Sequence, residues 1–213
     1  RLRRANVRLS VPELFGLNAR EALIEANILM FHDYPFGELR GAGVMIGFID
    51  TGIDYTHTVF KNADNTSRIL RIWDQTLSGK PPESFTYGSE YTKEDIDRAL
   101  ASSNPYEVVP SKDDIGHGTF LAGVAAGDDK TDNNGFIGGA PDASILMVKL
   151  RPAEASLREY YLVREEAVAY QENDILAGIR YIFRMAAELQ KPLILCIGIG
   201  NNGGEHQGTS IVE

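Results

Sequence analysis

The chain has 213 residues, 43% hydrophobic and 24% charged, with 21 Lys and Arg against 30 Asp and Glu and a formal net charge of −9. That is ordinary globular composition with length enough to bury a sizeable core, and its acidity excludes a nucleic-acid partner, which needs a basic face. The single cysteine, Cys196, excludes an intrachain disulfide, and no run of 18 or more apolar residues is present to form a membrane span.

Arg1-Leu2-Arg3-Arg4 is basic but is followed by no apolar stretch, so it does not read as a secretory signal; a first residue other than Met suggests a fragment or a processed form. Residues 1–40 form an N-terminal segment. Within it Asn18 and Glu21 have the spacing of a helix cap, and Leu23, Ile24, Ala26 and Ile28 supply a short apolar face that predicts a helix on the domain surface. Val44–Ile49 is a nearly continuous apolar run between Gly43 and Asp50-Thr51-Gly52, as suits a parallel strand buried on both faces. Residues 61–112 are polar and rich in turn formers. Inside them Ile69–Trp73 predicts a strand and Thr92–Ala101 a short capped helix.

Phe120–Gly127 is small and apolar and predicts a helix pressed onto a sheet, with His117 at or near its N-terminus. Ile145–Lys149 predicts a second buried strand. Residues 151–171, with Tyr160, Tyr161 and Tyr170, read as a substrate-groove lining or a partly buried surface helix. Ile175, Ile179, Ile182, Phe183 and Ala186 recur at helical spacing over Asp174–Leu189, with Asn173 or Asp174 as cap and Pro192 beyond the end. Leu193–Ile199, which holds Cys196 as a buried thiol, predicts a third buried strand. The alternation of strand and helix predicts an α/β fold, a parallel twisted sheet flanked by helices.

Two segments carry chemistry. Asp50 ends an apolar strand, where sites form in open α/β sheets, and an acid there is costly to bury without a partner. His117 lies between Gly116 and Gly118 at a helix start, where the dipole disfavours imidazolium and a neighbouring carboxylate would offset that. Neither segment is specific alone. Together, in the order Asp then His, they agree in context. Asp-Thr-Gly is also an aspartic-protease signature, but those enzymes are all-β and need two such acids, whereas this chain has one.

Asp50-Thr51-Gly52-Ile53-Asp54, His117-Gly118-Thr119-Phe120-Leu121-Ala122-Gly123 and Gly138–Ala143 leading into Ile145–Lys149 resemble the subtilisin-like serine proteases, the subtilases, over residues 41–213. Four further stretches resemble the Csp-type germination proteases of clostridia and their bacterial relatives: Gly52–His57, Ile69–Gln75, Tyr170–Ile175 and Asn202–Ser210. The resemblance implies a serine endopeptidase acting on polypeptides, with Asp50 and His117 as two members of an Asp-His-Ser triad. It also implies that Gly198, Ile199 and Gly200 pair with substrate backbone, and that no cofactor is required.

Gly208-Thr209-Ser210 is not the nucleophile of this reading. Ile211-Val212-Glu213 follow it in place of small residues and proline, and it stands too close to Leu193–Ile199. The serine and an oxyanion asparagine are expected beyond Glu213, so residues 41–213 read as the N-terminal part of a catalytic domain, incomplete and inactive alone. Its expected partner is the remaining C-terminal part of that domain, or a second copy. A catalytically dead relative serving as a binding or signalling module is the alternative. The resemblance permits a cytoplasmic or spore-associated setting. His57 reads as structural, and His32 and His206 have no visible partner. The four histidines give no zinc spacing, and Asp128, Asp129, Asp132, Asn133 and Asn134 read as a solvated turn rather than a metal site.

Overall fold

The computed structural model describes residues 23–33, 35, 37–130 and 135–200. Five strands form one sheet: β1 (Met45–Asp50), β2 (Ile69–Asp74), β3 (Ser89–Thr92), β4 (Ser144–Lys149) and β5 (Leu193–Ile197), in the spatial order β3-β2-β4-β1-β5. β1 lies between β4 and β5 and is parallel to both, with Asp50 opposite Lys149 and Phe48 opposite Cys196. β2 runs parallel to β4. β3, which the sequence reading did not anticipate, pairs antiparallel with β2. The chain is thus an α/β protein, as its alternating pattern predicted.

The helices are α1 (Leu29–His32), α2 (Lys93–Leu100), α3 (Pro105–Val108), α4 (His117–Ala126), α5 (Ala155–Tyr160) and α6 (Glu172–Leu189). Successive strand residues face opposite sides of a sheet, so β1 serves two cores. Ile46 and Phe48 join Ile145, Met147 and Ile72 beneath Ala122 and Ala126 of α4. Met45 and Ile49 join Leu146, Val148 and Trp73 beneath Tyr181, Ile182 and Met185 of α6. All six residues of β1 are buried. The same alternation puts Asp50 on the α4 side.

α2 starts with the predicted cap, a reciprocal box in which Thr92 and Asp95 bond each other's backbone. α6 starts two residues earlier than predicted, after Gln171, and neither Asn173 nor Asp174 caps it. Asp174 is drawn instead into a buried cluster, accepting from Arg151 Nε at 2.7 Å and Tyr87 Oη at 2.8 Å. The buried stripe of α6 is Gly178, Tyr181, Ile182 and Met185, and Phe183 is 58% exposed. A Cβ at Gly178 would stand 3.2 Å from side-chain atoms of Ile49 and Val148, so the small residue sets which face sits on the sheet.

β5 departs from the buried strand expected over Leu193–Ile199. It ends at Ile197, none of its residues is fully buried, and Ile194 is 57% exposed. Among the described residues it is one edge of the sheet, paired on one flank only, as β3 is at the other. The predicted surface helix near residue 23 buries Leu23 but exposes Ile24 and Ala26, and its proposed cap, Asn18 with Glu21, lies outside the described residues. No described helix is long and apolar enough to cross a membrane.

Candidate active site

Asp50 is the last residue of β1, 1% exposed, in a position that strand alternation turns toward α4. Its Oδ1 accepts from the Thr51 backbone N–H at 2.7 Å and stands 2.8 Å from His117 Nδ1. Because a carboxylate only accepts, that contact makes Nδ1 the protonated ring nitrogen and leaves Nε2 to act as the acceptor. Oδ2 is buried and has no hydrogen-bond partner among the described residues.

His117 is the first residue of α4, and its side chain is 44% exposed. Its place is set by how the helix start is capped. The residue before it, Gly116, has φ +87 and no side chain to offer, so the orphan amides of the first turn are met from outside. Thr51 Oγ1 accepts from Gly118 N–H at 2.9 Å. Asp113 Oδ2 accepts from Thr119 N–H at 2.8 Å and Thr119 Oγ1 at 2.6 Å, while Oδ1 accepts from Gly116 N–H at 2.9 Å and Thr51 Oγ1 at 2.7 Å. Burial pushes the Asp113 carboxyl upward, but the bonds from Thr119, Thr51 and Gly116 prevail and hold it below its ordinary value. The approach of helix to turn is tight: a Cβ at Gly118 would lie 2.2 Å from the Gly52 carbonyl oxygen and 3.2 Å from Asp50 Cβ. Glycine at 118 is therefore a condition of the Asp50–His117 contact.

The segment leading to His117 crosses the strand tips one by one. Ser111 Oγ donates to Asp74 Oδ2 at 2.7 Å at the end of β2, and Lys149 Nζ at the end of β4 donates to the Lys112 carbonyl at 2.7 Å. Asp113 takes Thr51 beyond the end of β1, and Lys149 also lies 3.7 Å from Asp114 and 3.8 Å from Asp74. The sequence reading passed over Asp113. The signal available to it was an acid three residues before the helix N-cap, masked by the like residue beside it.

Gly198, just past β5, borders the pair. A Cβ there would lie 3.0 Å from Asp50 Oδ2 and 3.2 Å from His117 Cε1. Gly198 and Gly200 are exposed, and Ile199 packs partly against the α6-side core. Burial, reinforced by the charge of Asp50, pushes up the Cys196 thiol and the Tyr170 hydroxyl, and Asp113 adds to the effect on Tyr170. Cys196 is half-buried rather than fully buried, because β5 has one open flank.

The remaining candidates separate. Tyr160, at the end of α5, and Tyr161, just after it, are 77% and 68% exposed, and α5 has no buried residue, while Tyr170 packs partly against the core beneath α6. His57 caps a 3₁₀ turn at Thr58–Phe60, its Nδ1 accepting from Val59 N–H at 3.4 Å. His32, which had no visible partner in the sequence, is 3% exposed and contacts the Gly139 carbonyl through Nε2 at 2.9 Å. Asp128 pairs with Arg40 and Lys130, each at 3.6 Å. No group of three or more His, Cys, Asp or Glu among the described residues is arranged to hold a metal ion. Asp132, Asn133, Asn134, Asn201, Asn202, His206 and Gly208-Thr209-Ser210 lie outside the described residues.

An α/β sheet with a buried acid at one strand tip, bonded to a histidine that opens the neighbouring helix, defines a class of protein. Residues 41–207 match the Subtilase family, and the chain belongs to that family. It is similar to the CspB protease of Clostridium perfringens at 32% identity and a TM-score of 0.69, over 86% of this chain and 34% of that one. It is 26% identical to "Subtilisin" of Bacillus sp. (strain TA39) over 81% of its length and 31% of the relative's. It is 31% identical to the "Major intracellular serine protease" of Bacillus subtilis (strain 168) over 57% of its length and 28% of the relative's. The chain thus spans about a third of the length of these relatives.

Proposed function

We propose that this chain supplies the acid and the base of a subtilisin-type serine endopeptidase. The observation that carries the reading is the 2.8 Å contact between His117 Nδ1 and Asp50 Oδ1, made by a buried carboxylate to a ring that is itself 44% exposed. A serine hydroxyl attacks the scissile carbonyl carbon while His117 Nε2 takes its proton. The imidazolium so formed is stabilised by Asp50, which keeps the ring in the Nδ1–H tautomer and does not itself take the proton. The C–N bond then breaks as Nε2 returns that proton to the leaving amine, and water repeats the cycle to free the acyl group. Gly198, Ile199 and Gly200 would pair with the substrate backbone; the closeness of Gly198 to both side chains supports this.

The nucleophile in this reading is a serine outside residues 1–213, since the residues after Ser210 lack the family's small residues and proline. Residues 1–213 alone therefore turn over no peptide, and the rest of the catalytic domain is their partner along the open β5 flank. A serine-directed fluorophosphonate applied to the whole protease tests this. It should label one serine outside residues 1–213, and His117→Ala should slow labelling by about 10⁴-fold or more while the unfolding midpoint holds. Label on Ser210, or undiminished labelling of the variant, would overturn the reading.

A further inference from the structure

One carboxylate is bonded to residues beside each member of the Asp50–His117 pair. Asp113 Oδ1 accepts from Thr51, the residue after Asp50, and from Gly116, the residue before His117; Oδ2 accepts twice from Thr119, two residues after it. Thr51 completes the loop by accepting from Gly118 N–H. The backbone on both sides of His117 is therefore tied to the turn that follows Asp50 through Asp113 and Thr51, and Thr119 Oγ1 adds a tie by accepting from the Asp54 N–H at 2.9 Å. The two main-chain segments come close at Gly118, where a Cβ would lie 2.2 Å from the Gly52 carbonyl oxygen.

We propose that Asp113 is a positioning residue, which sets His117 on Asp50 by pinning the first turn of α4 to the Asp50–Gly52 turn. The proposal rests on the reading of Asp50 and His117 as acid and base. Three features separate this role from ordinary helix capping. First, a cap needs only the amides of its own helix, yet Asp113 spends an acceptor on Thr51 across the junction. Second, Gly116 has φ +87 and no capping side chain, so the helix start has no local device to fix its direction. Third, the strap from Ser111 to Asp114 is itself held at the tips of β2 and β4 by Asp74 and Lys149, so Asp113 is braced on the sheet rather than on the helix it caps. A proton transfer through His117 demands placement within about 0.5 Å, and such precision comes from supports of this kind.

The downfield proton resonance of His117 Nδ1–H in the 213-residue chain reads the contact without turnover. In the native chain it should exchange slowly with water. Asp113→Asn keeps the shape of the side chain but turns one acceptor into a donor; it should speed that exchange at least tenfold or abolish the signal. Thr51→Val, which leaves the bonds of Asp113 to Gly116 and Thr119 in place, should speed it less, and Thr51→Ser should restore the native rate. Asp114→Asn, at an acid next door that is 78% exposed on its side chain, should leave it unchanged. If Asp113→Asn does not fold, Thr51→Val against Thr51→Ser decides. A native exchange rate in Asp113→Asn or in Thr51→Val, or an equal loss in Asp114→Asn, would overturn the proposal. A protease that lacks activity yet keeps this signal would sink the peptidase reading and leave the positioning role standing.

Discussion

The two flanks of β1 are built differently. Toward α4, the Asp50–His117 junction is closed by the described residues themselves: acid, base, cap and strap each have partners inside the chain, and a glycine marks the closest approach. Toward β5, the sheet ends, among the described residues, in a strand open on one flank, whose residues are at best half-buried and which is followed by the exposed Gly198 and Gly200. Charge placement in a buried site tolerates no slack, because an unpaired carboxylate there is costly. A backbone edge needs only an extended strand and leaves its partner to come from elsewhere. The Asp50–His117 pair is thus preformed, whereas the β5 edge that borders it carries no strand on its outer flank among the described residues.

Substitutions on the two flanks sharpen this contrast. The largest loss should follow Gly118→Ala, whose methyl would meet the Gly52 carbonyl at 2.2 Å. Backbone must move to admit it, at about 3 kcal/mol, and thermal unfolding should show a lower midpoint. A smaller effect appears in acid. The Asp113 carboxyl is held below its ordinary value when folded, so its stabilising contribution is complete above the unfolded value of about 3.9 and is lost as pH falls through the lower folded value. Urea unfolding measured from pH 6 down to pH 2 should show stability falling below about pH 4, and Asp113→Asn, less stable at pH 6, should fall less steeply. The smallest effect belongs to the open flank. Ile194→Lys, at a residue 57% exposed, should change the stability of the 213-residue chain by no more than about 0.5 kcal/mol. A loss like that of Gly118→Ala would mean that β5 is as well supported as the junction.

The core and most elements were legible because apolar runs and periodicity report burial directly. β1, β2, β4, α2 and α4 fall where Val44–Ile49, Ile69–Trp73, Ile145–Lys149, Thr92–Ala101 and Phe120–Gly127 placed them. Asp50 and His117 were legible as candidates because each sits at the boundary between an apolar run and a glycine turn, and the fold brings them into contact. Other contacts between residues distant in sequence were not legible. Asp174 reads as a cap until Arg151 and Tyr87, 23 and 87 residues away, claim its oxygens. Phe183 fits an apolar stripe until Gly178 fixes a different face. Asp113 looks like turn composition, since its partners Thr51 and Thr119 lie 62 and 6 residues away. Edge and centre strands share the same apolar signature, so the exposure of β5 followed only from the sheet order.

The pairing of Asp50 with His117 is the claim on which the rest stands, and Asp50→Asn in the whole protease tests it most directly. The amide keeps the size of the side chain but favours the wrong ring tautomer. The account predicts a fall of about 10⁴ in kcat/KM with cooperative unfolding retained. A variant that cleaves peptides within tenfold of the native rate would contradict it.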